Sequence, residues 1–400
     1  MLRCGLLGGK LGHSYSPAIH HELGDYAYRL YEKTPEELPA FLTGGSFDGL
    51  NVTIPYKKAV MPYCAALSET ARRVGCVNTL VRRADGTLYG DNTDVFGFER
   101  MLHTTGVRPE GKKALVFGSG GASATACDVL GRAGAQVVCI SRSGADNYEN
   151  LSRHRDAQIL VNTTPLGMYP NNGAAPADLR AFPHCVCVLD VIYNPARTAL
   201  LLQAEALGIP HAGGLEMLVA QAVRSSEQFT GCTIPDARIA EITRTLSRAM
   251  QNIVLIGMPG CGKSTVGRLL AARLGRELLD AAAGCTIPEI FRAGGEAAFR
   301  AQETAALRSL GARSGCVIAT GGGCVTRAEN YPLLHQNSVI VWLRRDAARL
   351  PTGGRPLSQS ADLPAMYAAR APLYERFSDC AADNNGAPQQ TVENILEVLA

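Results

Sequence analysis

The stretch MPGCGKSTVG at residues 258–267 sets glycines, a lysine and adjacent hydroxyls in an order suited to phosphates. From Gly257 to Thr265 it reads G-x-x-x-x-G-K-S-T, a loop expected to follow a strand and open a helix. Backbone N–H groups around Gly260, Cys261 and Gly262 would cradle the phosphates of a nucleotide. Lys263 would bridge the terminal ones, and Ser264, followed by Thr265, would ligate Mg2+. A hydrolase, a switch GTPase and a small-molecule kinase all share this loop, so it leaves the acceptor open. A different turn, VFGSGGAS, occupies residues 116–123. Gly118, Gly120, Gly121 and Ala122 are small enough for the backbone to approach a pyrophosphate at a helix N-terminus. Such turns also close ordinary strand–helix junctions. The next apolar run ends in Ser141-Arg142 rather than in an acidic residue. An arginine there suits a 2′-phosphate and favours NADP over NAD, a solvated surface arginine being the plain alternative.

The elements that must hold these turns are legible as periodicity. From Ala114 an apolar run, a glycine turn, a helical stretch and a second apolar run form a strand–helix–strand unit. Further apolar runs at AQILVNTTPLGM and CVCVLDVIYNP extend a parallel sheet to about residue 212. The first hundred residues alternate short β-like runs with helical patterns, which predicts a separate small α/β domain. LEMLVAQAVRSSEQF and DARIAEITRTLSRAM read as amphipathic helices, and after Gln251 the strand–loop–helix pattern starts again. No Pro/Gly/Ser linker parts the halves, so the junction near 250 is expected to be helical.

Composition narrows the class. Four hundred residues, a net charge of +3 and dispersed Lys and Arg predict a soluble globular chain of two or three domains. Neither nucleic acid nor a membrane is an expected partner. The opening apolar run is too short for a secretion signal. The 13 cysteines are odd in number and contain no CxxC pair. They predict reduced thiols in a cytoplasmic protein rather than a disulfide framework.

Several polar clusters remain: Ser14 with Ser16, then NVTIPYK, GCVNTL and GDNTD. Singly, each reads as a turn or a helix cap. Together with GHSYSPAIH, GSGGAS, NTTPLGM, DVIYNPARTALL and MLVAQA, in this order, they closely resemble shikimate dehydrogenase over residues 1–250. The resemblance implies that Lys57 supplies the proton for ketone reduction, with Asp94 beside it on the substrate hydroxyls. It implies Ser14 and Ser16 at the substrate carboxylate, and Thr53, Asn78 and Gln221 at the ring substituents. Tyr193 would stand near the nicotinamide. Two positions depart from the family pattern. Glu216 precedes Met217 where a small residue is usual, and Asp146 stands where a second basic residue often aids the 2′-phosphate, which weakens the expected NADP preference. Relatives that oxidise quinate leave the choice between shikimate and quinate open.

Residues 251–400 resemble shikimate kinase, through CTIPEIFRAGGEAAFRAQE, VIATGGGCV, GGRPL and RAPLYE. That implies Arg300, oriented by Glu303, with Gly321, Gly322 and Gly323 at the acceptor's carboxylate and ring, and Arg370 joining them. Arg355 would stabilise the transferring phosphoryl group from a lid. Asp280 is counted with the acceptor site and is available to help organise magnesium. The family's second aspartate, expected to take the acceptor proton, is absent from ELLDAAAGCTIPEIF, where the connection is short by one or two helical turns. The expected architecture is α/β throughout. A substrate-binding domain (1–100), a Rossmann dinucleotide domain (101–212) and returning helices (213–250) precede a P-loop kinase domain (251–400). The implied small-molecule partners are 3-dehydroshikimate and shikimate; a homodimer is left open. A degenerate, nucleotide-binding regulatory kinase half, or a quinate dehydrogenase fused to a kinase, are the rival readings.

Overall fold

A computed structural model describes residues 1–12, 14–281, 300–350 and 363–400. The chain divides into one unit of Met1–Tyr193 with Leu200–Leu246 and a second of Asn194–Ala199 with Ser247–Ala400. Both are α/β, each built on predominantly or wholly parallel sheets.

In the first unit, strands β1 (Arg3–Gly8), β2 (Ala27–Glu32), β3 (Gly49–Val52), β4 (Cys64–Leu67), β5 (Thr79–Arg82) and β6 (Leu88–Asp91) form one sheet. Their order is β2-β1-β3-β5-β6-β4. Leu7, Leu50, Val52 and Leu80 pack with Leu38, Leu42 and Phe47 into its core. The direction of three strands matters most for the site. β5 is antiparallel to both β3 and β6, and the register sets Asn51 opposite Thr79 and Thr79 opposite Asp91. The chain leaving β3 (Thr53 to Lys57), the residue entering β5 (Asn78) and the chain leaving β6 (Asn92 to Asp94) therefore share one sheet edge.

The second sheet holds β7 (Lys113–Phe117), β8 (Gln136–Ile140), β9 (Ile159–Asn162), β10 (Cys187–Asp190) and β11 (His211–Gly213), in the order β11-β10-β9-β7-β8. Alternation along the strands feeds two cores. Ala114, Val116, Ile159, Val161, Cys187 and Leu189 point to one, while Leu115, Phe117, Leu160 and Val188 point to the other. A parallel sheet covered on both faces needs such continuous apolar runs. The sheet order reverses at β7, where the glycine turn leads into the helix Gly121–Arg132.

The second unit repeats the device. Strands β12 (Asn252–Ile256), β13 (Leu278–Asp280), β14 (Val317–Ala319), β15 (Ser338–Arg344) and β16 (Cys380–Asp383) run parallel in the order β13-β14-β12-β15-β16. The loop after the central β12 opens the helix Lys263–Leu274. Ligands of open α/β sheets collect at such reversals, outside the carboxyl ends of the strands. Among the described residues no helix is long and apolar enough to cross a membrane.

Candidate active site

On the shared edge of the first sheet, Lys57 Nζ donates to Asp94 Oδ2 at 2.5 Å. The ammonium side chain is 19% exposed and the carboxylate 8%, so little water reaches the pair. Lys57 is fixed through its backbone, its carbonyl accepting from Val77 N–H at 2.8 Å. Asp94 is the first residue of the helix Asp94–Thr104, where unpaired N–H groups favour an anion.

Asn78 is the hub beside this pair. Its Nδ2 donates to Asp94 Oδ1 at 2.9 Å, Thr93 Oγ1 at 3.0 Å and Gln221 Oε1 at 3.4 Å. Its Oδ1 accepts from Thr93 N–H at 2.7 Å. Gln221 comes from the helix Leu215–Thr230, and its Nε2 donates to the Leu218 carbonyl. Thr53 follows β3, its N–H bonded to Leu7 O at 2.9 Å. Ser16 N–H donates to Ser14 Oγ at 3.2 Å, which turns the two hydroxyl residues into one loop. Tyr193 meets Tyr15 of that loop edge-to-face at 5.9 Å, and burial raises its phenol pKa. A lysine–carboxylate pair and two amides thus converge on one region. They can give a proton to an oxygen and direct hydrogen bonds to several hydroxyls.

The glycine turn at Gly118–Gly121 adjoins Lys57. A Cβ on Gly121 would stand 3.2 Å from Lys57 Cδ, so the turn approaches the Lys57 side chain closely. Gly118 has φ +123, and a Cβ there would meet Thr163 Oγ1 at 2.5 Å, which reserves the position for glycine. Gly120 is the helix N-cap with no side-chain bond, leaving N–H groups for an anion. Ala122 follows in the first turn. Ser141 and Arg142 lie just past β8, Arg142 exposed. Asp146, the departure from the family pattern, is engaged by His154 Nε2 at 2.8 Å. Glu216 is held by Arg100 at 3.2 Å.

In the second unit, Gly257 (φ +147), Gly260 and Gly262 take left-handed or extended positive-φ conformations around the loop. Lys263 Nζ donates to the Gly257 and Met258 carbonyls at 2.9 and 3.0 Å inside a buried turn. Cys261 is buried, Ser264 half-buried and Thr265 exposed. Arg300 Nη1 donates to Glu303 Oε2 at 2.8 Å, both buried. A Cβ on Gly323 would strike the Arg300 guanidinium and one on Gly321 would strike Glu303 Oε1, so the glycine run fits against this pair. Arg370 Nη1 and Tyr374 Oη both donate to the Gly322 carbonyl, at 3.2 and 2.5 Å. Asp280 ends β13. Arg355 and the connection after Asp280 (282–299) lie outside the described residues. Among those described, no group of three or more His, Cys, Asp or Glu side chains forms a metal cluster.

Sequence reasoning missed the residues behind these contacts. Thr79 and Thr93 hydroxyls bond Asn78 Oδ1, and Ser225 Oγ lies 3.2 Å from each of them. The signal was available for Ser225 and Tyr374, which sit four residues after Gln221 and Arg370 on the same helical faces. Asn384 Nδ2 bonds the Cys261 carbonyl at 2.5 Å across 123 positions, and no local pattern announces that.

Comparison with known proteins gives relatives for both units. Family models match for the shikimate dehydrogenase substrate binding domain over residues 6–80, the shikimate 5′-dehydrogenase C-terminal domain over 214–242 and shikimate kinase over 259–400. The shikimate dehydrogenase (NADP(+)) of Methanopyrus kandleri is 37% identical over 264 residues, covering 58% of this chain and 91% of that one. A crystal structure of shikimate dehydrogenase 1 from Peptoclostridium difficile is similar with a TM-score of 0.57 and 35% identity, over 62% of this chain and 98% of that one. A chorismate mutase/shikimate 5-dehydrogenase fusion protein from Clostridium acetobutylicum is similar with a TM-score of 0.58 and 34% identity, over 62% and 97% of the two chains.

Proposed function

This chain belongs to the shikimate dehydrogenase family, and from that premise we propose that its first unit reduces 3-dehydroshikimate to shikimate with NADPH and that its second phosphorylates shikimate with ATP. The observation that carries the first half is the Lys57–Asp94 pair, buttressed by Asn78. Bound NADPH supplies the hydride to the substrate ketone. Lys57 Nζ delivers the proton to the oxygen that becomes an alkoxide, and Asp94 holds the ammonium in line and accepts from a neighbouring substrate hydroxyl. Ser14 and Ser16 take the carboxylate, Thr53, Asn78 and Gln221 the ring substituents, and Tyr193 closes the pocket edge. Gly118, Gly120, Gly121 and Ala122 face the pyrophosphate. Ser141 and Arg142 take the 2′-phosphate, a role supported by the occupation of Asp146 by His154.

For the second half, the shikimate kinase match over residues 259–400 and the paired Arg300–Glu303 beside three glycines support a carboxylate-bearing acceptor. Bound MgATP supplies the phosphoryl group. Gly260 to Thr265 hold its phosphates, Lys263 compensates their charge, and Ser264 ligates Mg2+. Arg300, Arg370, Asp280 and the glycines hold shikimate, and Arg355 adds charge at the transferring group. The same reading divides the chain into 1–100, 101–212, 213–250 and 251–400.

The test measures NADP-dependent shikimate oxidation and shikimate-dependent ADP formation on the full chain, with quinate as the comparison substrate. Turnover of shikimate in both assays is expected; ADP formation indifferent to shikimate would refute the kinase half. Arg142→Ala is expected to weaken NADPH while leaving NADH nearly unchanged, since only NADPH carries the 2′-phosphate. Equal losses for both would return Arg142 to the surface.

A further inference from the structure

Beneath the dinucleotide turn lies a thiol pair that the reduction chemistry does not use. β8 is an edge strand of its sheet, and its Val137 packs in the same core as Ala124 and Cys127 of the helix Gly121–Arg132. The two-residue period of a strand puts Cys139 on that face as well. Cys139 is exposed at the edge and Cys127 is half-buried. Cys127 lies one helical turn after Ser123, on the helix face that brings the Ser123 hydroxyl to Cys139. Cys139 Sγ donates to the Gly118 carbonyl at 2.9 Å and lies 3.6 Å from Ser123 Oγ, which donates to the same carbonyl at 2.8 Å. Two side chains thus tether the carbonyl of Gly118, and one of them is a thiol that faces the helix carrying a second, Cys127.

We propose that Cys127 and Cys139 are a modification site that closes to a disulfide by exchange with a small-molecule disulfide, and that closure weakens NADPH at the Gly118–Ala122 turn. The exposed Cys139 thiolate attacks one sulfur of the small disulfide and expels the first thiol. The Cys127 thiolate then attacks Cys139 Sγ and expels the second. Two protein thiols are oxidised to one disulfide, the reagent is reduced to two thiols, and the protein's two protons pass to them. Burial pushes the Cys127 thiol up to about 11, so the second step quickens as pH rises. Closure removes the S–H bond to Gly118 O and draws Cys139 Sγ towards the helix. Ser123 is left as the other side-chain tether of that carbonyl. One hydrogen bond of this kind corresponds to roughly a three- to tenfold loss of affinity.

The consequence for NADPH rests on the cofactor assignment above, whereas the crosslink does not. Full-length protein is incubated with oxidised glutathione at pH 8.5, free thiols are blocked, and peptides are mapped by mass. In parallel, KM is measured for NADPH and for 3-dehydroshikimate. A 127–139 crosslink is expected, with NADPH KM raised by roughly three- to tenfold, the other KM unchanged, and recovery on reduction. Cys127→Ala is expected to keep the reduced activity and to resist the oxidative change. Absence of the crosslink overturns the pair, and a crosslink with unchanged NADPH KM overturns the coupling. An equal loss in Cys127→Ala would assign the effect to a mixed disulfide at Cys139 and also overturn the pair. Reduced enzyme indifferent to NADPH would instead refute the cofactor assignment and, with it, the coupling.

Discussion

Lys57 and Lys58 are neighbours in sequence, yet only Lys57 reaches Asp94, at 2.5 Å. Lys57→Ala is expected to lower dehydrogenase turnover by about two to four orders of magnitude, with a much smaller change in substrate binding. Steady-state kinetics of both alanine variants decide the matter: a normal Lys57→Ala beside a crippled Lys58→Ala would overturn the dyad. A second residue-scale prediction concerns His20, which is fully buried, stacked on Tyr28 at 3.9 Å and bonded through Nδ1 to Tyr26 Oη at 2.6 Å. Burial pushes its pKa down to about 3. An unfolded histidine titrates near 6.5, so between those values the unfolded chain binds the extra proton. The stability contributed by the neutral ring is therefore complete above about pH 6.5 and is lost as pH falls towards about 3. His20→Phe keeps an aromatic ring and removes the titration. Its stability deficit against the parent chain, read by urea unfolding, is expected to shrink between pH 7 and pH 4. A constant deficit would refute the assignment.

The antiparallel run β3–β5–β6 does for the Lys57–Asp94 site what strand reversal does for the two glycine turns. It brings residues 53–57, 78 and 92–94 to one edge although the sequence scatters them. Strand–turn–helix order was legible around both glycine loops because apolar runs and glycines are local signals. The polar clusters were legible as clusters, but not as one edge, because register is set by pairing between distant strands. Ser225 and Thr79 escaped notice because a single hydroxyl in a helix or strand has no pattern of its own. Glu216 and Asp146, which looked out of place in sequence, acquire partners in Arg100 and His154 only when the chain folds. Gly118→Ala tests the element directly. It forces a Cβ into a left-handed turn and onto Thr163 Oγ1 at 2.5 Å. The strain of such a position is roughly 1–3 kcal/mol, which is expected to appear as NADPH KM raised tenfold or more with substrate KM little changed. Unchanged NADPH kinetics would show that the turn does not need glycine.

One chain uses the same physical device twice, a helix N-terminus behind a glycine turn at the reversal point of a parallel sheet. The first turn, in β7's sheet, is read as serving a dinucleotide and the second, in β12's sheet, a nucleoside triphosphate. A chain that makes shikimate and then phosphorylates it gives both loops one metabolite in common. Arg300 is paired with Glu303 and Arg370 bonds the Gly322 carbonyl, as the proposed acceptor site requires, whereas the sequence after Asp280 lacks the second aspartate of the kinase pattern. Phosphoryl transfer depends mainly on positioning and charge compensation, so a missing proton acceptor slows the reaction without abolishing it. ATP is therefore expected to bind the parent chain normally, through Lys263 and its loop, while shikimate 3-phosphate forms slowly. Inserting an aspartate-bearing helical segment between Asp280 and Gly284 is expected to raise that rate by about two orders of magnitude without tightening ATP. Calorimetric titration of ATP and a discontinuous assay of shikimate 3-phosphate, run on both chains, separate the outcomes. Failure to bind ATP would refute the loop assignment. Full speed in the parent chain would show that another residue takes the proton. Tight ATP with no transfer in either chain would make the second unit a nucleotide-responsive module attached to a dehydrogenase.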